Sequence, residues 1–234
     1  MASRSLQLRW RYEGQDAADP VRAYGVADFA PRCENVRMLI FLETERLLLR
    51  QFDLHDADLL VELDGDPRVM RYITGGAPTS RDEVESEVLP AFLGYYRRFP
   101  GYGFWAAIEK TTNDFLGWFH YRPAPGDPVD QPELGYRLRC AAWGKGYATE
   151  GSRALIAKGF AEFDVQRVVA SAVAVNTASR RVMEKSGMRL IRAFVADWPV
   201  SIPGDEHGGV EYAISRSEWE QNRAVTERHG DGPG

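Results

Sequence analysis

The chain has 234 residues, and 44% of them are hydrophobic, enough for a sizeable core in one large or two small domains. Its formal net charge of −5 argues against binding nucleic acid through a basic surface. Two cysteines are too few for a disulfide framework. No apolar run is long enough for a membrane span or a secretory signal. We therefore expect a cytoplasmic protein that binds neither nucleic acid nor membranes.

Composition divides the chain into three parts. Residues 1–37 mix Arg, Asp, Pro and Gly without a sustained period, and we predict a loosely attached N-terminal extension. Residues 215–234 end in a Gly-rich stretch and have no apolar face, which predicts a C-terminal tail. Residues 38–214 between them are the predicted folded domain.

The first half of that domain alternates between predicted strands and helices. Asp53 is an N-cap candidate for the first helix, and Pro90 should kink or split the second. Two aromatic-rich segments separated by a short polar turn predict a β-hairpin. In chain order the segments are a strand over 45–52, helices over 53–66 and 79–99, and hairpin strands over 103–110 and 114–122.

The second half continues this alternation. Residues 167–175 are almost continuously small or branched apolar residues, which predicts a strand buried on both faces. Hairpins followed by strand–helix–strand units indicate an α+β domain with a mixed sheet. The predicted segments are strands over 133–140, 167–175, 189–197 and 209–214, and helices over 147–163 and 177–188.

A glycine loop joins one of these strands to the long helix, in the sequence AAWGKGYATEG of residues 141–151. The unpaired amides of a helix N-terminus attract anions, and Gly144 and Gly146 would let phosphate oxygens approach them. The competing interpretation is a glycine turn that joins the two elements for geometric reasons alone. The spacing is not that of a P-loop, and Thr149 and Asn176 replace the glycine and acid of a dinucleotide fold. The remaining candidate is a diphosphate-containing ligand of another kind.

The loop and its surroundings resemble the GCN5-related N-acetyltransferase (GNAT) superfamily. The resemblance rests on residues 133–151 and on AVNTASRRVMEKSGM at 174–188. It is closest to the branch of the ribosomal-protein N-terminal acetyltransferases, which typically opens with a strand like TERLLLR at 44–50. It covers about residues 43–214 and implies an α+β fold. In that fold a mixed, mostly antiparallel twisted sheet is flanked by helices and has a splayed strand pair at the coenzyme site.

The resemblance implies acetyl-CoA as co-substrate, with its diphosphate on the loop amides and its pantetheine arm beside the preceding strand. Trp143 departs from the Gln or Arg that usually opens the loop motif, which affects one side-chain contact. The implied coenzyme-binding residues are Leu138, Arg139, Cys140, Trp143, Gly144, Lys145, Gly146, Tyr147, Ala148, Thr149 and Asn176.

Acetyl transfer requires an amine that has lost a proton and a leaving thiolate that is stabilised. By resemblance, Glu133 is the candidate base and Ser179 the candidate acid near the sulfur; Met183 stands where many members have a tyrosine. An ordinary strand-end glutamate is the competing interpretation of Glu133. His120 is a second candidate base, although a lone strand histidine is usually structural.

No histidine lies near Cys140 in the sequence, so we interpret it as a buried, inert thiol and not as an acyl carrier. We expect direct transfer in a ternary complex. The histidines show no ligand-like spacing, and we expect no metal. The expected partner is an amine, either a protein N-terminus or a small molecule. Asp197, Asp205 and Glu206 are either groups that attract this amine or ordinary solvated loop acids. The resemblance is compatible with a homodimer. A non-catalytic coenzyme A-binding module and a nucleotide-binding domain remain the alternatives.

Overall fold

The computed structural model describes residues 39–123, 126–195, 198 and 200–230, with only the backbone described for 225–230. The predicted extension, residues 1–37, lies outside this part. The strands are β1 Ile40–Glu43, β2 Leu47–Arg50, β3 Gly103–Glu109, β4 Phe115–Arg122, β5 Glu133–Leu138, β6 Arg167–Val173, β7 Arg189–Phe194 and β8 Gly209–Ser215. The α-helices are α1 Ala57–Asp64, α2 Pro67–Met70, α3 Arg81–Glu83, α4 Leu89–Arg98, α5 Tyr147–Glu162, α6 Thr177–Lys185 and α7 Arg216–Gly230.

The eight strands form one sheet in the order β1-β2-β3-β4-β5-β6-β8-β7. Neighbouring strands are antiparallel except β5 and β6, which are parallel. The register pairs β5 with β6 at a single position, Glu133 with Val169, after which the two strands diverge. The predicted mixed, mostly antiparallel sheet with a splayed strand pair is confirmed.

Helices cover both faces of the sheet. On one face, α5 packs Leu155 and Phe160 into a core that includes Phe119 of β4. On the other, Leu60 of α1 packs into a second core that includes Trp118 of β4. Successive strand residues point to opposite faces, so β4 and β5 send alternate side chains into the two layers. We call these the α5 face and the α1 face.

The second predicted helix is irregular beside its proline. A π-helical turn over Val84–Val88 lies between α3 and α4, and Pro90 occupies the first turn of α4. Residues 81–98 are helical without a break, and the Leu89 amide donates to the Val84 carbonyl oxygen, five residues earlier. The wider π-helical turn accommodates Pro90, which has no amide to donate and whose ring would clash with a carbonyl one α-helical turn earlier. Asp53 caps a short 3-10 helix, Leu54–Asp56, that leads into α1.

Two predictions about the second half are wrong. Strand β6 was expected to be buried on both faces, yet Val169 and Ser171 are only half-buried, while Val168 and Ala170 are buried. The cause is the divergence of β5, which leaves one side of β6 facing a groove.

The second prediction is the C-terminal tail over residues 215–234. In the structure, Arg216–Gly230 form helix α7. Its first residue, Arg216, donates to the carbonyl oxygens of Phe160, Phe163 and Val165. The Trp219 ring lies 5.4 Å from that of Phe160. One guanidinium and one indole therefore attach a helix whose sequence lacks a continuous apolar stripe.

Candidate active site

A groove of about 720 Å³ lies where β5 and β6 diverge, within the range typical of small-molecule sites, about 300–1,000 Å³. On the α5 face it is lined by the loop before α5, by residues of α6 from Ala178 to Lys185, and by Tyr136 and Leu138 of β5. On the α1 face its walls are residues 68–73, Trp118 and Arg137. The gap between the two strands thus joins two compartments on opposite sides of the sheet.

The glycine loop forms the entrance on the α5 face. Gly144 and Gly146 have φ angles of 72° and 87°, a left-handed conformation that glycine adopts at little cost. Gly146 is the N-cap of α5, so the following amides begin the helix and lack intrahelical acceptors. A β-carbon at Gly144 would have no heavy atom within 4 Å. Both glycines are needed for backbone geometry, and the space above Gly144 is open to a ligand.

An ion-pair network holds this loop against the β1–β2 turn. The carboxylate of Glu150, in the first turn of α5, accepts hydrogen bonds from Thr44 Oγ1 at 2.6 Å and from the Arg46 backbone amide at 3.0 Å. Arg46 Nη2 lies 2.6 Å from the same carboxylate, and Nη1 donates to the Lys145 carbonyl oxygen at 3.0 Å. Burial raises the pKa of Glu150, but these donors outweigh it and leave the pKa below its ordinary value. The TERLLLR segment therefore fixes the glycine loop.

Most of the predicted coenzyme-binding residues line the groove. They are Leu138, Trp143, Gly144, Gly146, Ala148, Thr149 and Asn176. The Trp143 indole donates to the Leu138 carbonyl oxygen at 2.8 Å, so this exposed side chain is bound to the end of β5. Asn176 is also the N-cap of α6, with Oδ1 accepting from the Ser179 amide at 3.1 Å.

Four predicted residues lie outside the lining. Arg139 donates its amide to the Leu116 carbonyl oxygen and its guanidinium to Glu62. Tyr147 is buried against Glu109, and Lys145 contributes its carbonyl to Arg46. Cys140 packs against the core of the α1 face, where burial and then Asp66 raise the pKa of its thiol. Any contact of these four with coenzyme A stays a prediction.

The two candidate bases are buried behind the groove, on the α1 face of the sheet. Glu133 is 1% exposed and pairs in register with Arg122 of β4 and Val169 of β6. His120 is fully buried and lies opposite Gly135. Burial, followed by the charges of Arg122 and Arg137, lowers the pKa of His120 well below its ordinary value. His120 is therefore neutral at pH 7, and neither side chain is part of the described lining.

Sequence reasoning missed Tyr136, which lines the groove beside the candidate acid. Its hydroxyl donates to Ser179 Oγ at 3.5 Å. It also missed Arg137, which pairs with the buried Asp64 at 2.5 Å and lies 4.9 Å from the Trp118 ring. Alternation along β5 could have identified Tyr136, because it shares the α5 face with Leu138. Its proximity to Ser179 depends on the tertiary fold.

The described lining is cationic. None of its residues is Asp or Glu, and its charged members are Arg68, Arg71, Arg137, Arg181 and Lys185. Arg181 and Lys185 belong to α6, on the same side as the glycine loop. Such a lining suits a polyanionic ligand, since a narrow cleft of one sign concentrates counter-charged molecules.

The comparisons with known proteins decide the family. Residues 46–189 match the model described as the Acetyltransferase (GNAT) domain, more than half of the chain. The chain belongs to the GNAT acetyltransferases. It is 32% identical over 184 residues to FsC-acetyl coenzyme A-N(2)-transacetylase of Aspergillus fumigatus, covering 76% of this chain and 77% of that one.

Solved GNAT structures agree with the fold. A GNAT-family acetyltransferase from Bacillus anthracis is 28% identical with a TM-score of 0.60, covering 77% of this chain and 99% of that one. RimL, a ribosomal L7/L12 α-N-protein acetyltransferase solved with coenzyme A, is 20% identical with a TM-score of 0.64, covering 75% and 97%. With the fold and the relatives together, this chain is an acetyl-CoA-dependent N-acetyltransferase.

Two further features of the described residues bear on the initial expectations. No helix among the described residues is long and apolar enough to cross a membrane. Within the same residues, no group of three or more His, Cys, Asp or Glu side chains is arranged to hold a metal ion.

Substituting Gly144 by Trp tests the loop. Because nothing in the protein occupies the space above Gly144, we expect the fold to persist, with a cost of about 1–2 kcal/mol for the left-handed backbone. The indole should fill the entrance and weaken acetyl-CoA binding at least a hundredfold in isothermal titration calorimetry.

Gly126→Trp is the matched control. Gly126 has a φ of 81° and open space around it, and it lies outside the groove lining. It should therefore show a similar loss of stability with unchanged acetyl-CoA affinity. Equal affinities of the two variants would refute the loop as the coenzyme site.

Proposed function

We propose that this acetyltransferase binds the diphosphate of acetyl-CoA at residues 144–149 and transfers the acetyl group directly to a primary amine. The observation that carries the proposal is the groove itself, which connects the amides at the start of α5 with a separate compartment on the α1 face. A donor and an acceptor can approach each other only through the gap between β5 and β6, which favours transfer in a ternary complex.

The coenzyme fits the α5 face. Open space at Gly144, unpaired first-turn amides of α5 and the cations Arg181 and Lys185 are complementary to a ligand that carries several phosphates. After the single pair of Glu133 with Val169, neither β5 nor β6 has a partner strand across the gap, so backbone there can pair with the amides of the pantetheine arm. The sequence predicts β5 in this role. Bound there, acetyl-CoA supplies the activated acetyl group.

Glu133 is the proposed base, acting through water because it does not line the groove. It shares the α1 face of β5 with Arg137, and Gly135 between them has no side chain to block the path to the acceptor compartment. An α-amine, with a pKa of about 7.7–8.0, loses its proton at pH 7 for about 1 kcal/mol, whereas a lysine amine costs about 4–5 kcal/mol. A protein N-terminus or another weakly basic amine is the acceptor that requires least from such a base.

The charged residues that border the α1-face compartment disfavour acceptors with several positive charges. Arg68 and Arg71 border the α1-face compartment, and Arg68 is paired with Asp66, 2.7 Å away. Asp205 and Glu206, which the sequence suggested as amine-attracting groups, are not part of the described lining. Asp205 instead accepts from the Ile202 amide. Asp197 lies outside the described residues. The favoured acceptor therefore presents one amine without further positive charge.

An acceptor panel tests the function. We expect release of coenzyme A, measured by chromatography, with peptides that have a free N-terminus and with small monoamines. Spermidine and aminoglycosides should react more slowly because the lining repels them. Acetyl-CoA binding without transfer to any amine in the panel would favour a regulatory module instead.

Glu133→Gln tests the proposed base. Turnover at pH 7 should fall about a hundredfold or more, with acetyl-CoA affinity unchanged, since base removal affects only the chemical step. The defect should shrink as the pH rises toward the pKa of the amine, because less of the acceptor then needs a base. Glu211→Gln on β8, outside the described lining, is the control and should keep wild-type turnover. A Glu133→Gln enzyme that matches the wild type at every pH would rule out this role.

A further inference from the structure

A second, smaller cavity adjoins the groove on the α5 face. It has a volume of about 50 Å³, and its lining includes four serines, Ser152, Ser171, Ser179 and Ser186, together with Tyr136. Among its described lining residues, Tyr136 is the only ionisable side chain. A cavity of this size with several hydroxyl groups has the room and the hydrogen-bonding partners for a water molecule.

The small cavity and the groove share a wall. Tyr136, Ser171, Ser179 and Val182 line both. The hydrogen bond from the Tyr136 hydroxyl to Ser179 Oγ therefore lies at the boundary between the cavity and the coenzyme compartment. Because Ser179 Oγ accepts from Tyr136, its own proton remains available for a different acceptor. Since Ser179 also lines the groove, its hydroxyl proton can point into the groove.

Two buried hydroxyl groups on the far side of the cavity lack a protein partner. Ser152 is 1% exposed and Ser186 is 6% exposed, and neither Oγ has a hydrogen-bond partner among the described residues. Buried hydroxyl groups in proteins almost always have a hydrogen-bond partner. Water in the cavity would satisfy both groups and continue the hydrogen bonding as far as Tyr136 and Ser179.

We propose that Tyr136 is a positioning residue which, with water in this cavity, orients the Ser179 hydroxyl so that it donates to the sulfur of coenzyme A. This inference rests on the proposed function, because it requires coenzyme A in the groove. In this proposal the polar cavity contributes to catalysis. The Ser179 hydroxyl takes the place of the tyrosine that many superfamily members have at the position of Met183.

The chemistry balances without a further reactant. The amine nitrogen forms a bond to the acetyl carbon, the carbon–sulfur bond breaks, and its electron pair remains on sulfur as a thiolate. The amine proton passes to the base through water. A hydroxyl that donates to the thiolate stabilises the charge that develops on sulfur, and a preorganised donor does so without reorganisation during the reaction. Burial raises the pKa of Tyr136, against the opposing effect of Ser179, so the phenol stays a donor at neutral pH.

The pKa of the coenzyme A thiol in the complex measures this stabilisation directly. It can be followed by the ultraviolet absorbance of the thiolate as the pH rises, with the desulfo-coenzyme A complex subtracted to remove protein cysteines and tyrosines. In the wild type the bound thiol should titrate below free coenzyme A. Tyr136→Phe and Ser179→Ala should each increase the thiol pKa by about one unit, a tenfold change in the acid dissociation constant.

A double variant shows whether Tyr136 acts through Ser179. If it does, Tyr136→Phe should add nothing in a Ser179→Ala background, a non-additivity expected only of coupled groups. The groove's other ionisable groups, Arg68, Arg71, Tyr72, Arg137, Arg181 and Lys185, stay unchanged in all variants and provide a constant background. Tyr102→Phe removes a hydroxyl that donates to the Val129 carbonyl oxygen and lines neither the groove nor the small cavity, so it is the matched control and should leave the thiol pKa unchanged.

The inference is overturned if Tyr136→Phe binds coenzyme A normally and leaves the thiol pKa at the wild-type value. It is equally overturned if the shifts of the two single variants add in full. A wild-type protein that does not bind coenzyme A at all contradicts the proposed coenzyme site instead, so the two failures are distinguishable in the same titration.

Discussion

The divergence of two neighbouring parallel strands is the constraint on which the site depends. β5 and β6 pair at one position, Glu133 with Val169, and then separate. Separation leaves backbone N–H and C=O groups of both strands without a partner strand. Such groups need another hydrogen-bond partner when they are buried. The same opening lets a ligand on the α5 face meet one on the α1 face. A fully paired sheet would keep the two compartments apart and leave the molecule without a place for group transfer.

The elements around the opening are held by contacts made far along the chain. Glu150 ties the start of α5 to Thr44 and Arg46, more than a hundred residues earlier. Arg137 is held by the buried Asp64 of α1. A buried ion pair by itself contributes little to the net free energy of folding. These pairs nevertheless fix the walls of the groove in one arrangement. The site is therefore rigid at the glycine loop and at β5, where positioning of the thioester matters most.

Features encoded locally could be predicted from the sequence. The left-handed glycines before α5, the Asn176 cap and the irregularity of the second helix beside Pro90 each depend on a few adjacent residues. Features that depend on distant contacts could not. The half-exposed side of β6 results from the path of β5, and α7 docks through Arg216 to carbonyls more than fifty residues away. The Tyr136–Ser179 contact joins residues 43 positions apart.

The most direct test of this account is an experimental structure of the protein with acetyl-CoA. It should show the diphosphate within hydrogen-bonding distance of backbone amides in residues 144–149, the pantetheine arm in the gap between β5 and β6, and the thioester beside Ser179. A donor bound elsewhere on the molecule, or a complex in which β5 and β6 pair along their full length, would contradict the account.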